Sequence, residues 1–290
     1  MARKRHKKRS LLARTIVFAL LLMMIGYPFY EATTLTRENR TVGIPGLPAE
    51  LNGLRVVFVS DIHQGPFFSQ TRVNNLVAEI NSVNADIVIF GGDYADDSQG
   101  AVNFFKNLPK VHARLLVAGV PGNHDRTVPE SNLAALQSAM LNAGIIPLVN
   151  TVREVRYRDI SFYVAGIDDV DNGHPDVAGV AAQLAQEQFV IFVTHSPDGF
   201  AEAFSVTDKG GSPHWFDLGL AGHTHGGQIA LLGNPLIQNF SAMPKEYYTG
   251  WHTANGAEML VSNGVGTSVF PVRLFAKPMF HVITLTRGNQ

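Results

Sequence analysis

The chain has 290 residues, a formal charge of −1 and no cysteine. The missing thiol excludes iron–sulfur and other soft-metal chemistry, since those centres are held by thiolate. With 46% hydrophobic and 16% charged residues, the composition is that of a globular chain carrying one apolar segment, and neither an internal repeat nor a low-complexity tract interrupts it.

The first fourteen positions hold Arg3, Lys4, Arg5, Lys7, Lys8, Arg9 and Arg14 and no acid, and an uncharged apolar run from Thr15 to Tyr30 follows. This is the pattern of a signal peptide or a membrane anchor. The run is shorter than the roughly 20 residues a span needs, but Leu11–Ala13 and a snorkelling Arg14 extend it. Tyr27, Phe29 and Tyr30 suit the far interface. At Tyr30-Glu31-Ala32 a bulky ring stands where a cleavage site needs a small residue, so residues 1–32 are expected to stay as a basic tail and one transmembrane helix. Positive charge before the span places that tail in the cytoplasm and the following domain on the outer face of an inner membrane, single-pass. A cytoplasmic-face domain is the alternative. Without the tail, 16 bases face 24 acids, a formal −8 over residues 15–290. An acidic body argues against nucleic acid as a partner.

Residues 33–53 contain Gly43, Pro45, Gly46 and Pro48 and read as a linker, which leaves 54–290 as a single α/β domain. Leu54–Ser60 is an apolar, β-branched run, the mark of a strand covered on both faces, and it delivers Asp61-Ile62-His63 from its carboxyl end. After Ser69, an N-cap type, the stripe Val73, Leu76, Val77, Ile80 predicts a helix. Ile87–Phe90 predicts a second strand, which ends in Gly91-Gly92-Asp93. Leu115–Gly119 predicts a third, followed by Gly122-Asn123-His124-Asp125. Leu133, Leu136 and Met140 after Ser131 predict another helix, with Gly144 as its stop. Phe189–Thr194 leads to His195, and Leu218–Ala221 leads to Gly222-His223-Thr224-His225. Open α/β sheets place ligands beyond the carboxyl ends of their strands, where all of these side chains are expected.

Carboxylate and amide oxygens with imidazole nitrogens suit Mn, Fe or Zn. Two such ions roughly 3.5–4 Å apart clamp the attacking and leaving oxygens of a displacement at phosphorus. They need one shared ligand. Asp93 is the bridging candidate, because a carboxylate offers oxygen to two ions and an imidazole does not.

The ordered set Ser60-Asp61-Ile62-His63, Gly91-Gly92-Asp93-Tyr94, Gly122-Asn123-His124-Asp125, Thr194-His195-Ser196-Pro197-Asp198 and Gly222-His223-Thr224-His225-Gly226-Gly227-Gln228 resembles the calcineurin-like metallophosphoesterases over about residues 54–285. The resemblance implies a β-sandwich flanked by helices and two divalent metal ions. It also implies that Asp61, His63 and His225 hold one ion, that Asn123, His195 and His223 hold the other, and that Asp93 bridges them. It further implies that His124 approaches the substrate, oriented by Asp125, while a metal-bridging hydroxide attacks phosphorus.

The substrate implied is a phosphoester, with a phosphodiester or pyrophosphate bond. Gly65-Pro66-Phe67-Phe68 and Ile229–Phe240 are candidates for an apolar lip facing an acyl chain or the bilayer. Asn263–Ser268 and Arg273 are candidates for phosphate contacts. The look of the whole is similar to bacterial membrane-associated phosphodiesterases of that family, whose relatives include UDP-2,3-diacylglucosamine pyrophosphatases of lipid A synthesis. That activity is the alternative function. A non-catalytic metal-binding scaffold is the alternative from another class, disfavoured because no ligand position is degenerate.

Overall fold

The computed structural model describes residues 2–127, 131–185, 187–231, 234–236 and 241–288. A helix α1 spans Ala2–Thr33 and is followed by strands β1 Thr36–Ile44 and β2 Arg55–Val59, helix α2 Gln70–Ser82 and strand β3 Ile87–Phe90. Next come α3 Ser98–Asn107, β4 Leu116–Gly119, α4 Ser131–Asn142, β5 Ile146–Pro147, β6 Thr151–Tyr157 and β7 Ile160–Gly166. Then follow α5 Val177–Ala181, β8 Val190–Val193, α6 Asp198–Ala203 and β9 Leu218–Ala221. The chain closes with a β10 Ala230–Leu231 and β11 Asn234–Pro235 ribbon, β12 Gly250–Ala254, β13 Ala257–Val261 and β14 Met279–Arg287.

Two six-stranded sheets form a sandwich, ordered β1-β14-β2-β3-β4-β5 and β12-β13-β9-β8-β7-β6. Val56, Phe58, Ile87 and Ile89 of the first sheet and Val164, Ile191, Leu218 and Leu220 of the second belong to one buried cluster between them. The opposite face of the first sheet packs on α2, α3 and α4 through Val57, Val88, Ile80 and Phe104. The opposite face of the second packs on α5 and α6 through Phe192, Val180 and Phe200. Covering both faces explains why β2, β3, β8 and β9 are continuous apolar runs.

The expected helices hold to their signals. Ser69 Oγ accepts from Arg72 N at the start of α2. After α4, Gly144 sits at φ +81°, with Gly144 N bonding Leu141 O at 3.0 Å and Ile145 N bonding Met140 O at 2.9 Å. That is a Schellman stop, which needs a left-handed residue at this position.

Parallel pairing runs through β2, β3 and β4 in one sheet and through β7, β8 and β9 in the other. Their carboxyl ends therefore gather at one rim of the sandwich.

The expected linker over 33–53 is corrected: Thr36–Ile44 is an edge strand, paired in parallel with β14 from Thr36↔Met279 to Ile44↔Arg287. Only Val42 and Ile44 of it are buried, because an edge strand on the rim of a sheet keeps most of its side chains in water. The domain thus begins before Leu54.

Helix α1 includes one segment, Arg14–Thr33, long and apolar enough to cross a membrane, with 11% of that window buried. Residues 14–27 of it are exposed. Its last turn docks: Pro28 O accepts from Arg273 N at 3.0 Å, Glu31 Oε1 from Ala276 N at 3.1 Å, and Ala32 O from Arg72 Nη2 at 3.1 Å.

Candidate metal centre

Seven expected ligands converge on the rim. His225 Nε2 faces His63 Nε2 at 3.2 Å and Asp61 Oδ1 at 3.6 Å. On the other side His223 Nδ1 lies 3.0 Å from Asn123 Oδ1 and 3.3 Å from His195 Nε2. Asp93 joins the halves, its Oδ2 lying 3.4 Å from His63 Nε2 and 3.3 Å from His195 Nε2. Asp61, His63 and His225 form one compact donor set, Asp93, His195 and His223 another, and His63, Asp93 and His124 a third that overlaps both.

The loops reach this convergence through unusual backbone. Asp61, His63, Asp93, His223 and His225 all have φ between 47° and 71°. Such left-handed conformations are rare outside glycine and collect at functional sites, where packing holds them in place. Gly92 is needed for closeness as well as for its φ of +91°, because a Cβ there would lie 2.6 Å from His195 Nδ1.

The ligands are also gripped from behind. His63 Nδ1 lies 3.1 Å from Asp96 Oδ1 and His195 Nδ1 lies 2.7 Å from Gly91 O, while Arg273 Nη1 holds the His225 carbonyl at 3.3 Å. His223 turns its Nε2 toward Asp171 Oδ2 at 3.6 Å. Partners of this kind set ring orientation and ligand basicity. Asp96 and Asp171 were not legible as site residues; each is one acid among several in a loop, and only the fold brings them to a ring.

The field is strongly polarised. Burial opposes charge on His63, yet contact with Asp93 and Asp96 raises its pKa to about 9. Burial likewise opposes charge on Asp93, but the charge and hydrogen bond of His195 hold its carboxyl well below the usual range. Asp125 moves the other way, raised to about 8 by burial and then by the charge of Asp93. His225 is lowered by burial and by the positive His63 and Arg273 beside it.

The donor set fits divalent cations. It consists of oxygen and nitrogen without sulfur, and Asp61 Oδ2 is buried with no hydrogen-bond partner. A buried carboxylate oxygen left in that state is costly unless a cation completes it.

Three expectations are corrected. Asp125 does not orient His124. Its Oδ2 accepts from Asp93 N and Gly122 N, both at 2.8 Å, and its Oδ1 accepts from Tyr94 N at 3.0 Å. His124 instead sets Nδ1 against Asp96 O at 3.1 Å and stands edge-on to His63, ring centres 4.8 Å apart. Arg273 does not offer itself to substrate: fully buried, it donates to Gly266 O, Ala276 O, Asn263 O and His225 O. The amides of Val265, Gly266 and Ser268 are spent inside the protein as well. Val265 N bonds Ser60 O, Gly266 N bonds Asp61 O, and Ser268 N bonds Gln228 Oε1.

His214 and His252 lie outside the cluster, bonded to Asn255 O and Thr249 O. Of the expected lip, Phe67 is exposed and Phe68 is buried. Part of Ile229–Phe240, namely 232–233 and 237–240, falls outside the described residues, as do the side chains of the basic tail through residue 13.

A sandwich whose imidazole–carboxylate donor sets are joined through Asp93 defines a class, the metal-dependent phosphoester hydrolases. The chain belongs to the calcineurin-like phosphoesterase family, matched over residues 54–227. It is 28% identical over 273 residues to a Bacillus subtilis metallophosphoesterase called YkuE, covering 91% of this chain and 90% of that one. A Danio rerio transmembrane protein with a metallophosphoesterase domain is 28% identical over 265 residues, with 85% of this chain and 56% of that one covered. Among solved structures, a dimetal phosphatase from Danio rerio matches with a TM-score of 0.45 at 12% identity, over 74% of this chain and 88% of that one.

Proposed function

We propose that this protein is a membrane-anchored hydrolase that cleaves a phosphodiester or pyrophosphate bond in a lipid-linked phosphoester, with its domain on the outer face of an inner membrane. The observation that supports the chemistry is the position of Asp93 Oδ2, 3.4 Å from His63 Nε2 and 3.3 Å from His195 Nε2. Asp61, His63 and His225 would hold one Mn, Zn or Fe ion and Asn123, His195 and His223 the other, with Asp93 shared between them. When bound, two such ions polarise the phosphoester and lower the pKa of water so that a nucleophile exists near neutral pH.

The side chains account for the rest. Asp96 fixes the His63 ring, Arg273 holds the His225 carbonyl, and Asp125 fixes the main chain of Asp93. His124, half-buried at the edge of the cluster, is placed to stabilise charge on the leaving oxygen or to protonate it.

Three observations support the lipid-linked reading. A groove of about 360 Å³ lies beside the last turns of α1, lined by Phe29 and Thr33 of that helix, Pro66 and Phe67 just after His63, Arg72 and Pro271. Val269, Phe270 and Phe275 stand in water at 79%, 62% and 59% exposure. Val269 and Phe275 do so at φ 63° and 55°, a strain on bulky residues that needs a compensating role. Exposed apolar surface of this kind beside a candidate span is the mark of contact with a bilayer or an acyl chain.

The test is a screen of the purified full chain, loaded with Mn or Zn, against a chromogenic phosphodiester, lipid phosphoesters and nucleotide-sugar lipids. Turnover of lipid phosphoesters well above their water-soluble headgroups supports the reading. Equal turnover of both removes the lipid. Preference for a nucleotide-linked diacylglucosamine, together with a cytoplasmic domain, favours the UDP-2,3-diacylglucosamine pyrophosphatase reading.

A further inference from the structure

Arg273 is a buried cation with no exposed surface and no carboxylate within its own hydrogen bonds. Its donors go to the backbone carbonyls of Gly266, Ala276, Asn263 and His225. Burial lowers its pKa to about 10, and the carboxylates whose charge offsets that burial are Asp61, in the metal cluster, and Glu31, on the anchor helix. The guanidinium is therefore suspended between the anchor and the metal site.

The main chain around it is suspended in the same way. Arg273 N is held by Pro28 O at 3.0 Å and Ala276 N by Glu31 Oε1 at 3.1 Å. Between those two pins the segment folds back on its own side chain, with Arg273 Nη1 bonding Ala276 O at 2.9 Å. Glu31 is itself buried, at 3% exposure, although residues 14–30 of the same helix are exposed except for the half-buried Pro28.

We propose that the last turn of the anchor helix is a working part of the metal centre: Pro28 and Glu31 seat residues 273–276, Arg273 thereby fixes the main chain of His225 through its carbonyl, and the ion position of Asp61, His63 and His225 depends on that docking. Glu31 and Arg273 are positioning residues, since they act through His225. The anchor does more than tether the domain. Its departure from the domain surface empties one of the two ion positions and leaves Asn123, His195 and His223 in place, because their supports, Gly91 and Asp171, lie elsewhere. The proposal rests on the assignment of one ion to Asp61, His63 and His225.

The experiment uses the full chain in detergent, loaded with manganese, and measures ions per chain and the electron paramagnetic resonance signal alongside the melting temperature. Wild type binds two ions and shows a coupled pair. Glu31→Ala weakens one ion by about 10–100-fold, the usual loss for an outer-shell partner, and shows the signal of isolated manganese. Glu31→Gln, which keeps an acceptor for Ala276 N, restores the pair. Should Glu31→Ala fail to fold, Glu31→Asp, with its carboxylate withdrawn by one methylene, shows the same selective loss in milder form. A Glu31→Ala protein that stays folded with both ions at wild-type affinity overturns the proposal, and so does simultaneous loss of both ions. Wild type binding fewer than two ions would overturn the metal assignment itself, a different failure.

Discussion

Asp125 grips the main chain of Asp93: its Oδ2 accepts from Asp93 N at 2.8 Å, while both side chains are buried. The same carboxylate also takes the amides of Gly122 and Tyr94, so one residue ties the β3 and β4 loops together under the candidate bridging ligand. Its role is to place Asp93.

Asp125→Ala should therefore act on stability and metal together. It strands buried amide donors at about 1–3 kcal/mol each, enough to lower the melting temperature by about 5–10 °C. Calorimetry with metal analysis checks this. A variant with unchanged melting temperature and full metal, but reduced turnover, would return Asp125 to the catalytic role expected for it.

His124→Ala should keep both ions and lose turnover by about 10²–10⁴-fold, the usual contribution of a positioned acid or base. The loss should shrink for substrates with good leaving groups. Steady-state rates on a leaving-group series, with metal content measured beside them, decide this. An emptied ion position would make His124 a ligand.

Much of the site was readable because its ligand types stand at the ends of apolar runs: Asp61 and His63 after β2, Asp93 after β3, His195 after β8. The fold brings all of them to one rim. What makes the rim close was hidden. Nothing in the identity of Asp61, His63, Asp93, His223 or His225 announces a left-handed backbone, which tertiary packing imposes. Thr36–Ile44 lacked the apolar signature of a strand because it is an edge. Its partner β14 also lies more than 200 positions away in the chain, beyond any local pattern. Arg273 had the right neighbourhood and the wrong direction: a guanidinium suits phosphate, and only burial shows that it serves His225.

The edge strand carries a pH dependence. His281 Nδ1 lies 2.6 Å from Glu38 Oε2 across β1 and β14, and contact with this ring lowers the Glu38 pKa from its ordinary value of about 4.5. A lowered carboxyl pKa contributes stability that is present above the unfolded value and is lost as pH falls through the folded one. The melting temperature should thus decline below about pH 4.5 less steeply in Glu38→Gln than in wild type. Parallel curves would remove the pair from the account. The effect is small, because Glu38 is partly exposed.

The topology proposal predicts that a C-terminal phosphatase reporter, active only after export, is active, and that protease added to spheroplasts digests the domain. The positive charges before Thr15 are the reason. A protected domain would place the site on the cytoplasmic face.

The central claim is that two ions sharing Asp93 perform the hydrolysis. Stepwise return of manganese to the metal-stripped full chain, with turnover of a chromogenic phosphodiester followed at each step, tests it most directly. The account predicts little turnover until the second equivalent binds, and none at any equivalent in Asp93→Asn. Full turnover at one equivalent, or turnover that persists in the stripped protein, would contradict it.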